Sequence, residues 1–561
     1  MDNLLCYLVE ISTMNFKFDL QKNTTMALEM VDDPQDQQDY NEQTDNSNAG
    51  GGNSRGFTGG GGGGSLLNFL PLIFSLFGGG NRRGGGGMGG GILILLLVAG
   101  GFLLFRNGGC SSAAVEQLAQ YATGGKLSPE QFKKASVYEG LEPDDQKNPL
   151  PEMVSLRRFA PKRLNQGQQG SCVAWSSAYG ARTIIESVSA NVPPDMLAFS
   201  PSFLYNQIGL DGCQGSYLIN AMQFLTQKGS VPMNYFPYDE NDCTRQPEPA
   251  LWNFAAQNKM HGFNRLTEDE GVSKISFRAI KEHLAKDAPV VIGMMVGGTF
   301  MQDMSGKRVW HPTEEDYQQM GFGGHAMCVI GYDDRVEGGA FEIMNSWGAD
   351  WGEDGIAYVR YADFKAFVRE AYGVDPLPKK GKALTVDLEC KIGLVNNDTK
   401  QYISLKTNGS NQFVTTAPIA KGTRFKMEIL NERQCYIYLF TPDKNGTSQV
   451  LFPYKPIHSP YCGITGTRLF PRKESIRADE IGDRDYMGIV VSKEPLDYQQ
   501  LNSAINASSK TNYAAKLNDA ISKVAIRNVS YNSTDAGTIY FKANAQEENN
   551  VVGCVVAIDK Q

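Results

Sequence analysis

The chain has 561 residues, a formal net charge of -8, 61 glycines and ten cysteines. That length exceeds a single hydrophobic core, so two or three folded units are expected. An acidic balance without a Lys/Arg run argues against nucleic acid as a partner. Ten scattered cysteines, with no CxxC pair or Cys/His cluster, argue against a disulfide-built scaffold and a metal site, and no cofactor is expected.

Residues 1–90 read as a disordered, glycine-rich region. Its acidic text DDPQDQQDYNEQTDNSN gives way to glycine tracts that flank the apolar run LLNFLPLIFSLF. Such composition buries too little apolar surface to offset chain entropy. Next comes GILILLLVAGGFLLF, and 91–106 is the one transmembrane candidate, although about 20 apolar residues are needed to cross a bilayer. Arg82 and Arg83 precede this run and Arg106 closes it. The expectation is therefore a single-pass anchor with a cytoplasmic N-terminus and the remainder outside the cytoplasm, periplasmic or at the cell surface.

Residues 107–148 read as a linker or short prosegment, with a Ser-Pro helix start in SPEQFKKAS. A mixed helix-and-strand unit follows at 149–378 and ends near DPLPKKGK. From 384 to 561 the pattern changes to period-two alternation. In TRFKMEIL, Phe425, Met427 and Ile429 alternate with Arg424, Lys426 and Glu428. YIYLF and VLFPY across TPDKNGTS read as a hairpin, and LNSAINASSKTNYAAKLNDAISKV as one helical insertion. The expected fold class is α+β: a unit with a helical half and a strand-rich half, then a mostly β, sandwich-like domain whose partner is unknown.

The chemistry concentrates in three segments. In NQGQQGSCVAWSSAYGARTIIES, turn residues up to Ser171 precede helical spacing, which places Cys172 at a helix N-terminus. Unsatisfied N–H groups and the helix dipole there favour a thiolate, so a depressed thiol pKa is expected. Gln166, six residues earlier, is suited to donate with the backbone N–H of Cys172 to an oxyanion, and one such donor is typically worth about 3–4 kcal/mol. GFGGHAMCVIGYDD sets His325 at the head of an apolar strand as the base. FEIMNSWGADWGEDGIAYVRY offers Asn345 to orient that imidazole, with Trp347 and Trp351 shielding the bond from water.

In the order Gln166, Cys172, His325, Asn345 these residues resemble the papain-like cysteine peptidase family. Asn165-Gln166-Gly167 with Gly170-Ser171-Cys172, Gly324-His325-Ala326, and Asn345-Ser346-Trp347-Gly348 carry the likeness over about 149–375. The resemblance implies a two-lobed fold, peptide-bond hydrolysis through a Cys172 thioester, and protein or peptide substrates. Asp211-Gly212-Cys213-Gln214-Gly215-Ser216 resembles the loop that binds substrate backbone, so Gly215, Ser216 and Gly324 are candidate substrate-binding residues. A side-chain pocket is expected near Gly293–Met295. The chain departs from the family at Val173, in place of an aromatic, and at Gln169, in place of a cysteine. Cys213 therefore lacks its usual partner; a Cys213–Cys243 bridge and two free thiols are both open. The family's long helical prosegment has no counterpart in the text. Transfer of the acyl group to an amine, and an inactive papain-fold binding module of the envelope, are the competing readings. The C-terminal domain resembles a bacterial module of unknown function, through YIYLF, LFP and IVVSKEPLD.

Overall fold

The computed structural model describes residues 28–32, 123–381, 386–546 and 548–561. Two cores organise them. The first surrounds an eight-stranded sheet in the order Phe263–Arg265, Val368–Val374, Val290–Val296, Gly323–Asp333, Ala340–Met344, Ile356–Arg360, Val309–Trp310, with Met153–Ser155 also pairing Gly323–Asp333. Every pairing is antiparallel except that of Val309–Trp310 with Ile356–Arg360.

Against this sheet lies a continuous helical run made of Cys172–Ala174, a wider-wound π stretch Trp175–Arg182, and Thr183–Ala190. Its residues are buried almost throughout, because the run passes between the sheet and the other helices. Gly180 permits the close approach: a Cβ there would stand 3.2 Å from the Cβ of Cys328. The helices Pro201–Ile208 and Leu218–Gln227 complete the helical side.

The second core is a β sandwich of an eight-stranded and a seven-stranded sheet. Phe425, Met427 and Ile429 face inward, as their alternation predicts. The opposite face of that strand is covered rather than solvated: Lys147 pairs with Glu428 at 2.5 Å, and both Lys426 and Glu428 are buried. Cys435–Pro442 and Ser448–Phe452 form the expected hairpin. Ile437 and Leu439 enter the sandwich core, while Tyr438 and Phe440 point outward beneath two helices. The anticipated single helical insertion is two, Tyr498–Ala507 and Tyr513–Ile521, because Asn512 caps a new start by accepting from the N–H of Ala515.

One N-terminal expectation changes. Within 1–90, read as disordered, Leu28–Asp32 forms an edge strand antiparallel to Glu474–Ala478. Leu28 is fully buried and Met30 packs on the sandwich core, so this short run has an apolar face to hide. The proposed span 91–106 lies outside the described residues, among which no helix is long and apolar enough to cross a membrane.

Of the stretch read as linker or short prosegment (107–148), the described part begins at Thr123. Ser128 caps the short helix Pro129–Phe132, and Phe132 packs edge-on against Tyr372. Beyond it the strap is held by both cores. The N–H of Val137 donates to Ile457 O at 2.8 Å and that of Tyr138 to Arg265 O at 3.1 Å. Asn148 exchanges two hydrogen bonds with the backbone of Thr467, each 2.9 Å. Buried Arg468 donates to Glu139 O, Asn431 Oδ1 and Ile464 O.

Candidate active site

Cys172 is the first residue of its helix, following Ser171, where backbone N–H groups have no intrahelical acceptor. The N–H of Ala326, next to His325 on strand Gly323–Asp333, reaches its Sγ at 3.4 Å. His325 Nε2 is 2.8 Å from Asn345 Oδ1, which also accepts from the N–H of Ser346 at 2.8 Å. Asn345 leaves strand Ala340–Met344, the neighbour of the histidine strand, and its own N–H is tied to Gly355 O. With Nε2 engaged by a carbonyl acceptor, the proton sits on Nε2 and Nδ1 is left as the basic nitrogen. Buried Nδ1 has no hydrogen-bond partner. Trp347 stacks on the imidazole, and Trp351 packs edge-on against Trp347 with its Nε1 donating to Phe300 O.

Gln166 is fully buried and firmly held. Its N–H donates to Ser346 O, its Nε2 to Gln169 O at 2.9 Å, and its Oε1 accepts from Ser346 Oγ at 2.7 Å. The hydroxyl of Tyr238, a residue that sequence reasoning did not assign to the site, lies 2.7 Å from both Gln166 O and Ser171 Oγ. Gln169 ties the same turn to the Asp239 and Glu240 carbonyls through its Nε2. Hydrogen bonds thus secure this turn where the family has a cysteine, while Cys213 and Cys243 are joined as a disulfide with Cα atoms 6.1 Å apart.

The chain's own backbone occupies the cleft. Ser216 N–H donates to Gly124 O and Lys126 N–H donates to Ser216 O, both at 2.9 Å. Gly125 N–H donates to Gly324 O at 3.0 Å. The two Ser216 bonds flank Gly125 in the parallel pattern. Glycine is required here, since a Cβ on Gly124 would run into the Gly170 carbonyl, and one on Gly215 into the Gly124 carbonyl. The side chain of Leu127 enters a pocket at Gly293, Gly324 and Leu218. Gly215, Ser216 and Gly324 therefore meet one extended segment, and the expected wall at Gly293–Met295 contributes Gly293.

This occupancy alters the electrostatics anticipated from the helix start. Burial pushes the Cys172 thiol up to about 11, opposed by the N–H groups of Ala326, Val173 and Gly125. Burial likewise lowers His325 to about 4, opposed by its bond to Asn345. Desolvation outweighs the dipole, and the pair rests as neutral thiol and neutral imidazole. Gly125 also faces the sulfur with an N–H donor, where a substrate has to bring a carbonyl carbon.

A thiol at a helix start, an imidazole held by an amide and a backbone-binding loop define a cysteine-dependent protease. The chain belongs to the papain family of cysteine proteases, whose family model matches residues 150–371. It is 30% identical over 220 residues to the cathepsin B-like CP2 of Giardia intestinalis, covering 37% of this chain and 68% of that one. Mouse cathepsin K is 26% identical over 247 residues, covering 43% of this chain and 68% of the relative. Among solved structures, xylellain, a cysteine protease from Xylella fastidiosa, aligns at 22% identity with a TM-score of 0.38, over 46% of this chain and 96% of its own.

Proposed function

We propose that the protein is a latent peptidase that hydrolyses peptide bonds through a Cys172 thioester. The observation that carries this reading is the pairing of Gly124–Lys126 with Ser216 and Gly324 over Cys172. A segment bound there by backbone hydrogen bonds marks the path of an extended peptide and blocks it at once.

With the segment displaced, Cys172 passes its proton to His325 Nδ1 and the sulfur attacks the scissile carbonyl carbon. The oxyanion is met by Gln166 and the backbone N–H of Cys172. His325 gives the proton to the leaving amine as the C–N bond breaks. Water then yields a proton to Nδ1 and its oxygen displaces the thioester sulfur, restoring the thiol. Asn345 and Trp347 keep the ring in register throughout. A site of action outside the cytoplasm is part of the proposal and is supported by the Cys213–Cys243 disulfide.

Gly124→Leu in the full chain tests it, because a Cβ there cannot coexist with the Gly170 carbonyl. This variant is expected to cleave extended peptides that the parent chain cleaves slowly, with all activity lost on adding Cys172→Ala. An added amine nucleophile captures product only if acyl transfer competes with hydrolysis. Equal inactivity of parent and variant would defeat the proposal.

A further inference from the structure

The turn from Gln166 to Ser171 joins the two oxyanion donors, the Gln166 side chain and the backbone N–H of Cys172. A hydroxyl from a distant loop bridges its ends. Tyr238 Oη lies 2.7 Å from Gln166 O and 2.7 Å from Ser171 Oγ. A phenol has one proton to give and a carbonyl can only accept. Tyr238 therefore donates to Gln166 O and accepts from the Ser171 hydroxyl, with Gln169 Oε1 a longer second acceptor at 3.2 Å. Burial pushes this phenol up to about 12, opposed by its bond to Ser171, so the proton stays in place at neutral pH and the direction of the relay is fixed. Trp175, on the helical run that starts at Cys172, packs edge-on against the Tyr238 ring with centroids 4.8 Å apart.

The loop that carries Tyr238 grips the turn elsewhere too. The N–H of Gln168 donates to Glu240 Oε2 at 2.8 Å, and Gln169 Nε2 donates to the carbonyls of Asp239 and Glu240. The loop is itself anchored: the N–H of Asp239 donates to Ser202 Oγ on helix Pro201–Ile208, and Cys243 is bonded to Cys213. Those other contacts reach Gln168 and Gln169 in the middle of the turn, whereas the Tyr238 hydroxyl touches both ends. Oxyanion donors act only when they lie 2.7–3.1 Å from the developing charge, and a misplacement of about 1 Å is costly. With Gln169 standing where the family has a cysteine, the spacing of the two donors depends on this hydroxyl.

We propose that Tyr238 is a positioning residue for the oxyanion donors, its hydroxyl setting the distance between Gln166 and the start of the Cys172 helix. The proposal rests on the cysteine-peptidase reading above.

The test compares Tyr238→Phe with its parent in the full chain carrying Gly124→Leu, using two probes of Cys172. A peptide aldehyde forms a hemithioacetal whose oxygen sits between the donors. 2,2′-Dipyridyl disulfide exchanges with the sulfur, releases pyridine-2-thione and places no oxygen on the turn; its rate at Cys172 is read by mass spectrometry. Removing an oxyanion donor outright lowers kcat by about 10²–10³-fold, so a donor that has lost its support should cost about tenfold. Tyr238→Phe is expected to weaken the aldehyde and to lower kcat on a peptide by that factor. KM and the disulfide-exchange rate should stay within about twofold of the parent, which also shows that the variant is folded. Unchanged aldehyde affinity, or aldehyde and disulfide probes weakened together, would overturn the proposal and leave the peptidase reading intact. No aldehyde adduct and no turnover in either chain, with disulfide exchange still running, would bring down both.

Discussion

The imidazole of His325 lies against the indole of Trp347, ring centroids 4.3 Å apart and planes 24° from parallel. The stack covers the face of the ring whose Nε2 is bonded to Asn345, so one side chain both sets the ring plane and keeps water from that bond. Offset stacks of this kind contribute about 0.5–1.5 kcal/mol beyond area burial. In the Gly124→Leu background, Trp347→Leu is expected to lower kcat by roughly tenfold with little change in KM. Steady-state kinetics on one good substrate would decide it, and a change confined to KM would contradict the orienting role.

Asn345→Ala removes the only acceptor seen on Nε2 among the described residues. A buried N–H left unpaired costs about 1–3 kcal/mol, so activity should fall by roughly 5- to 150-fold. Because the preferred tautomer is no longer imposed, the acid limb of the pH–rate profile should also move. A profile identical to that of the parent would show that Asn345 does not orient the base.

In the resting chain the thiol is pushed up to about 11 and the imidazole down to about 4. The alkylating species is the thiolate, so iodoacetamide should react slowly at neutral pH and faster only as the pH climbs well above 9. Readmitting water in the Gly124→Leu chain lowers the desolvation penalty on both groups. Its alkylation should persist below pH 7 and depend on His325, disappearing there in His325→Ala. Identical pH profiles with and without Gly124→Leu would refute occlusion as the cause.

Asp375 follows strand Val368–Val374, is buried at 3% exposure, and is pushed up to about 7 by burial. Its carboxyl titrates near 3.9 when unfolded. The raised folded value means that its stabilising contribution is fully present below about pH 4 and is lost as the pH rises towards 7. Thermal unfolding should therefore show Tm declining over that window. Asp375→Asn should flatten the decline, and an unchanged slope would assign it to other groups.

Asn148 joins the strap to the sandwich by two hydrogen bonds to Thr467. Asn148→Ala should loosen that seat by about 1–3 kcal/mol. The expected readout is faster alkylation of Cys172 at fixed pH, with faster amide exchange over 137–148. Unaltered exchange there would mean that the strap is held without this contact.

Much of the site is legible in the chain because its chemistry depends on local order. Cys172 after a turn, His325 at a strand head and Asn345 before Ser-Trp-Gly each declare a backbone setting, and the aromatic positions indicate what covers them. What stays hidden depends on contacts distant in sequence. Gly124 and Gly125 are an unremarked pair in polar text until Gly170 and Gly324 are seen closing on them. Glu370 reads as one of two charged residues in strand Val368–Val374, and only its register opposite Gly293 makes it a pocket residue. A helix start by itself favours a thiolate, and the burial that reverses this at Cys172 comes with the occluding segment. Leu28–Asp32 is too short and isolated to announce a strand without the edge at Glu474–Ala478 that receives it.

The strap described above has its anchors at Val137, Tyr138 and Asn148, a dozen residues from Gly125 at the nearest. A blocking peptide on so short a leash meets the cleft at an effective concentration in the millimolar range, so it excludes substrate even with weak intrinsic affinity. One cut between the short helix at Pro129–Phe132 and the anchor at Val137 would lengthen that leash. The blocking segment would then be tied to the rest of the described chain through Leu28–Asp32 on the edge strand Glu474–Ala478, about ninety residues back along the chain, and its effective concentration at the cleft would fall. Such a nick would ease the block with no covalent change to the site itself.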